Sequence, residues 1–156
     1  MSAPDATPPD LAARARADLA AALKAGERAR VDALRMLLAD LRNKEIEKGR
    51  PLEPDEALAL VAAGVKSRAE SVEQFRAAGR EDLVARESAQ ADVLRGYLPA
   101  QLSGPELGAL VEEAVAAVGA SSPRDMGRVM GWLMPRVRGR ADGAEVSRRV
   151  KERLAG

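Results

Sequence analysis

Apolar residues recur at helical spacing along almost the whole chain, and the period-two alternation that marks strands is nearly absent. Leu11, Ala15, Leu19 and Leu23 form one such stripe, which ends at Gly26. Val31, Leu34, Leu38 and Leu41 form a second, in a helix running towards Lys48. Gly49 to Pro54 (GRPLEP) reads as a loop, with Gly closing one helix and Pro54 opening the next. That third helix turns Leu58, Val61, Val65, Val72 and Phe75 inward and stops at Gly79. A fourth, carrying Leu83, Ala91 and Leu94, runs from Glu81 towards Tyr97 and is cut off by Pro99.

Beyond Pro99 the helix signals change character. Ser103 with Glu106, Ser122 with Asp125, and Asp142 with Glu145 each place an acceptor at an N-cap and an acid three residues on, the spacing of a capping box. They predict three shorter helices, at about 104–118, 123–137 and 143–154. The expected fold is therefore all-α. A four-helix N-terminal subdomain over residues 10–98 is followed by a three-helix C-terminal subdomain over 99–156, joined at Leu98–Leu102 (LPAQL). Aromatic residues make up only 2% of the chain, a single Phe, Tyr and Trp, so the core must be Leu, Val, Met and Ala in closely packed helices.

The first nine residues, MSAPDATPP, read as a disordered lead-in and lack the basic start and apolar run of a signal peptide. No apolar run approaches the roughly 20 residues that span a membrane, and the expected location is cytoplasmic. The chain contains no cysteine and no histidine, which excludes disulfides, Cys or His metal sites, and His-dependent nucleophiles. It has neither a calcium-loop acidic spacing nor a GxxxxGK[ST] phosphate loop. No catalytic residue, metal or cofactor is assigned, although chemistry based on carboxylates and lysines remains open.

One segment stands apart. Arg124 to Gly143, RDMGRVMGWLMPRVRGRADG, carries five arginines against two aspartates in a chain of net charge +1. It also places Gly127, Gly131 and Pro135 in a helix, where an interior Gly costs about 1 kcal/mol and an interior Pro about 3 relative to Ala. Wound at helical pitch, Met126, Val129, Met130, Leu133 and Val137 share the core face. Arg124, Arg128, Trp132 and Arg136 form a separate row, and Gly127 and Gly131 flank it as a track where another backbone can come close. Arg138 and Arg140 extend the charge into the following turn. Such a row suits phosphate, which guanidinium grips bidentately. A solvated face with glycines that ease helix packing is the competing reading, and Trp132 suits a half-buried seat better than a base-stacking platform.

Other charged positions read as structural. Asp142 serves as an N-cap, and Arg42, Lys44 and Lys48 with Glu45 and Glu47 make a solvated helix end. Arg68, Arg76 and Arg80 with Glu70 and Glu73 are expected as ion pairs dressing the long third helix. Glu87 and Asp92 are too isolated for a catalytic pair.

Arg35–Arg50 (RMLLADLRNKEIEKGR), Ser71–Leu83 (SVEQFRAAGREDL), Tyr97–Leu102 (YLPAQL) and Asp125–Gly143 (DMGRVMGWLMPRVRGRADG) together resemble the YqeY-like proteins of the GatB/YqeY family, from about residue 10 to the C-terminus. The resemblance implies a helical N-terminal subdomain and a small three-helix C-terminal one. It also implies kinship with the tail of the B subunit of the Asp/Glu-tRNA amidotransferase, which contacts the tRNA body while the chemistry lies elsewhere. The family label is carbon–nitrogen ligase with glutamine as amido-N-donor. The family's basic positions fall on Arg128, Arg136, Arg138 and Arg140, with arginine for the usual lysine at the first three. Trp132 stands where a smaller residue is common, and Gly64 where a good helix former is usual. What the resemblance implies is a stand-alone tRNA-binding accessory protein without catalysis of its own. The expected RNA-binding residues are Arg128, Arg136, Arg138 and Arg140 together with Arg124, which the helical phasing adds, and Gly127 and Gly131 from the same phasing are the close-approach glycines. The alternatives are a component of a glutamine-dependent tRNA amidotransferase, or a protein-interaction adaptor; the expected partners are tRNA and amidotransferase or other translation-related proteins.

Overall fold

The computed structural model describes residues 10–156, and the lead-in expected over 1–9 lies outside them. Among the described residues there are seven α-helices and no strand, the all-α fold expected from the periodicity. They are α1 (Leu11–Ala25), α2 (Arg28–Lys48), α3 (Pro54–Ala77), α4 (Glu81–Arg95), α5 (Gly104–Val118), α6 (Met126–Val137) and α7 (Gly143–Ala155). The chain divides into two compact units, the first ending at Tyr97 and the second running from Leu98 to Gly156.

In the first unit α2 packs against α1, α3 and α4, and α3 packs along α4. Ala33 and Leu34 of α2 and Val61 of α3 are wholly buried, and the small side chains of Ala15, Ala22 and Ala91 let the helices come close. The α1–α2 turn follows from Gly26, whose φ of 70° suits the absence of a Cβ. Its neighbour Glu27 donates its N–H to the Ala22 carbonyl at 3.0 Å, which closes the end of α1. At the next turn, Glu56 in the first turn of α3 accepts from the Glu53 N–H at 2.9 Å and pairs with Arg50 and Lys48. These cations, led by Arg50, hold the Glu56 carboxyl well below the usual carboxylate range.

Several expectations for this unit need correction. Leu23 is 51% exposed; Ala15 and Ala22 are the residues of α1 that are buried. α1 packs chiefly on α2, so its buried face is narrow and the small residues take it. The inward line of α3 is Ala57, Val61, Arg68 and Val72, with Leu58, Val65 and Phe75 half-buried on its flanks. α4 ends at Arg95, and Tyr97 beyond it is buried with its O–H donated to Asp18. Gly64 has a packing reason: a Cβ there would lie 3.3 Å from the Leu94 methyl across the α3–α4 seam.

The second unit is a three-helix cluster around Leu107, Val111 and Ala114 of α5, Val129, Leu133 and Val137 of α6, and Val146, Val150 and Leu154 of α7. The Ser103 box is closed in both directions: its hydroxyl accepts from the Glu106 N–H at 3.2 Å, and Glu106 accepts from the Ser103 N–H at 3.1 Å. The second box opens a single 3-10 turn, Pro123–Asp125, and the α-helix begins only at Met126. The third is half-made. Asp142 accepts from the Ala144 N–H at 3.3 Å, but the Glu145 carboxylate is drawn away by Arg148 and Arg149.

Candidate nucleic-acid interface

α6 is amphipathic as its phasing predicts. Val129, Leu133 and Val137 are buried, while Met126, Met130 and Trp132 pack on the same cluster from its edge. The opposite side carries Gly127, Arg128, Gly131, Pro135 and Arg136, all exposed. Gly127, Gly131 and Pro135 follow one another at intervals of four and line a single face without bulk. A Cβ built on Gly127 or Gly131 would meet nothing within 4 Å. Among the described residues no helix uses the glycine track, so these glycines do not serve packing between the described helices.

The arginines differ in how they are held. Arg124 lies exposed in the 3-10 turn that precedes α6. Arg128 is braced by Asp125 at 2.7 Å and by the Val118 carbonyl at 2.8 Å. The Ser121 and Ser122 N–H groups also donate to Asp125; with Arg128 they push its carboxyl down to about 2 from an ordinary 3.8, the Ser121 contact contributing most. Arg136 is seated by its own helix: its guanidinium lies 3.7 Å from the Trp132 ring centroid and donates to the Trp132 carbonyl at 2.5 Å. Two of the positions at which the chain departs from the resembled pattern, Trp132 and Arg136, are therefore in contact. Arg138 is exposed and closes α6, its N–H donating to the Met134 carbonyl at 3.0 Å.

Arg140 is a strut as well as a charge. It donates to the Ala100 carbonyl at 3.1 Å, while its own carbonyl accepts from the Leu102 N–H at 2.8 Å. Gln101 completes the tie by donating to the Gly139 carbonyl at 2.7 Å. The LPAQL segment thus carries a fastening role that its sequence, read as a join, did not reveal. α7 offers a contrast. Arg148, Arg149 and Arg153 all pair with carboxylates, whereas Arg136 has aromatic and carbonyl partners.

The first unit holds a second polar feature that sequence reasoning misplaced. Arg68, expected among the ion pairs that dress α3 itself, is instead buried and reaches Gln90 at 2.5 Å and Glu87 at 3.2 Å on α4. Its Nη2 meets the Met36 sulfur at 3.4 Å, and its Nε has no partner. Arg68, Glu87 and Met36 line a cavity of about 450 Å³ with Leu60, Gly64 and Leu94. Phase was the available signal: Arg68 is seven residues after Val61 and four before Val72, squarely on the buried line. Among the described residues there is no group of three or more potential metal ligands of the carboxylate, Cys or His type. No helix among them is long and apolar enough to cross a membrane.

The family model of the Yqey-like protein matches residues 12–154. "Altered inheritance of mitochondria protein 41, mitochondrial" of Pyrenophora tritici-repentis is 35% identical over 144 residues, covering 89% of this chain and 78% of that protein. The protein of the same name from Lachancea thermotolerans is 31% identical over 118 residues, 73% of this chain and 63% of that one. The Saccharomyces cerevisiae (strain YJM789) protein is 30% identical over 84 residues, 53% and 45% respectively. These relatives are named as mitochondrial proteins, which overturns the expectation of a cytoplasmic location. With nearly its whole length matched by the family model, the chain belongs to the family of YqeY-like proteins.

Proposed function

We propose that this chain is a tRNA-binding accessory protein that grips its ligand through the exposed face of α6. The observation that carries the reading is the open glycine track. Gly127 and Gly131 face space in which a Cβ would meet nothing, so their cost to the helix is not offset by packing against the described residues. A ligand backbone that must come close to the helix gives them a use, and the arginines beside them suit phosphate. Recognition of structured RNA relies on shape and phosphate contact, so little base readout is needed from this face. The resemblance to the amidotransferase tail supports tRNA as the RNA class, and no catalysis is assigned to the chain.

The test is a filter-binding series against total tRNA. With three or four phosphate contacts, raising salt from 50 to 200 mM weakens binding by roughly 40- to 150-fold. Replacing Arg124, Arg128, Arg136 and Arg138 by Ala flattens that dependence. Affinity that is insensitive to salt, or unchanged in the variant, contradicts the proposal. A protein adaptor is the second reading, favoured by Ile46 and Met36, which are 68% and 51% exposed on α2. A protein partner retained after nuclease treatment, with no salt-dependent tRNA binding, selects it.

A further inference from the structure

We infer that Arg136, stacked on Trp132, is a docking platform for an unpaired nucleobase; this rests on the RNA-binding reading above. The indole is half-buried and packs against the α5–α6–α7 core cluster, so the core occupies its inner side. The Arg136 guanidinium lies over the ring at 3.7 Å from the centroid, a separation that requires a face-on stack. On the face that Arg136 covers, a base therefore meets the guanidinium and not the indole. The layers run from core to indole to guanidinium, and Arg136 is exposed.

The guanidinium is also pinned within its plane, because Nη1 donates to the Trp132 carbonyl at 2.5 Å. A long side chain that usually loses rotamer freedom on binding is thus already ordered. Its outer face is planar, cationic and weakly hydrated, the kind of surface on which an unstacked base settles. A base within a continuous duplex cannot present its face, because its neighbours cover it. The remaining donors, Nε and Nη2, lie at the edge of the plane, where they can reach a phosphate of the same nucleotide without disturbing the stack. The ligand that fits all of this is RNA with an exposed loop or bulge base beside a phosphate-rich backbone.

Charge and planarity separate cleanly in the test. Two labelled RNAs of equal length, one a hairpin with an unpaired loop and the other a blunt duplex, are titrated by fluorescence anisotropy with the wild-type protein, Arg136→Lys and Arg136→Ala. The wild type is expected to bind the hairpin about tenfold more tightly than the duplex. Arg136→Lys keeps the charge and the salt slope but loses the preference between the two RNAs. Arg136→Ala loses the preference and also lowers the salt slope by about one contact. Equal wild-type binding of both RNAs with a normal salt slope overturns the stacking inference alone, as does a preference that survives in Arg136→Lys. Failure of the wild type to bind either RNA overturns the RNA-binding reading and this inference together.

Discussion

Arg68 and Glu87 are 19 residues apart in sequence and 3.2 Å apart in space, joined across the α3–α4 seam with both side chains mostly buried. Gln90, one turn further along α4, accepts from the same guanidinium nitrogen at 2.5 Å. A charge withdrawn from water needs such partners, and removing one strands the other. The seam between these helices therefore depends on a polar clasp as well as on Val61, Val72 and Leu94.

Arg68→Met is expected to destabilise the first unit by about 2–4 kcal/mol, because Glu87 loses its counter-charge while the aliphatic volume is kept. Urea unfolding followed by circular dichroism measures it. The double variant Arg68→Met, Glu87→Leu should recover a large part of the loss; a double variant as unstable as the sum of the two singles contradicts the clasp.

Gly131→Ala should act in opposite directions on stability and on binding. The added methyl meets open space, and replacing an interior helix glycine is worth about 0.5–1 kcal/mol of stability. The same methyl stands on the track that RNA is proposed to approach, so affinity for tRNA should fall. Gly127 lies in the first turn of α6, where helix propensity counts for less, so Gly127→Ala should stabilise less than Gly131→Ala. Thermal unfolding and filter binding on the same samples check both signs.

The Asp125 carboxyl is pushed down to about 2, first by the Ser121 N–H and then by Arg128. A group whose folded pKa lies below its unfolded value stabilises the fold above the unfolded value and loses that contribution as pH falls through the folded one. The start of α6 should therefore hold down to about pH 4 and loosen between about 4 and 2. The Ser121 and Ser122 amide resonances report it directly by NMR. Their titration should disappear in Asp125→Ala, which leaves both N–H groups without that acceptor.

Much of the architecture was legible from short-range pattern. Gly26, Pro54 and the Ser103–Glu106 box act within a turn or two of themselves, so α1, α3 and α5 begin or end where those residues predict. The boxes were less reliable where a side chain had a choice. Glu145 can reach back to the Asp142 N–H at the start of its helix or to two arginines one turn on, and it pairs with the arginines. The stripe on α1 erred for a different reason: periodicity names a face but not how much of it a neighbour covers, which is why Leu23 stays exposed.

The sequence by itself determined that the chain is helical, where most helices break, and that α6 separates an apolar face from arginines and glycines. Each of these depends on the 3.6-residue repeat and on caps that bond within one turn. Only the tertiary structure decided that Arg68 is sealed in a seam, that none of the described residues covers Gly127 and Gly131, and that Arg136 lies over the Trp132 ring. The physical reason is range. A side chain's phase on its helix is set by its immediate neighbours, but what lies opposite it is set by residues that folding brings in from elsewhere. For α6 that difference is the one that counts, because an open glycine face and a packed one read identically in sequence.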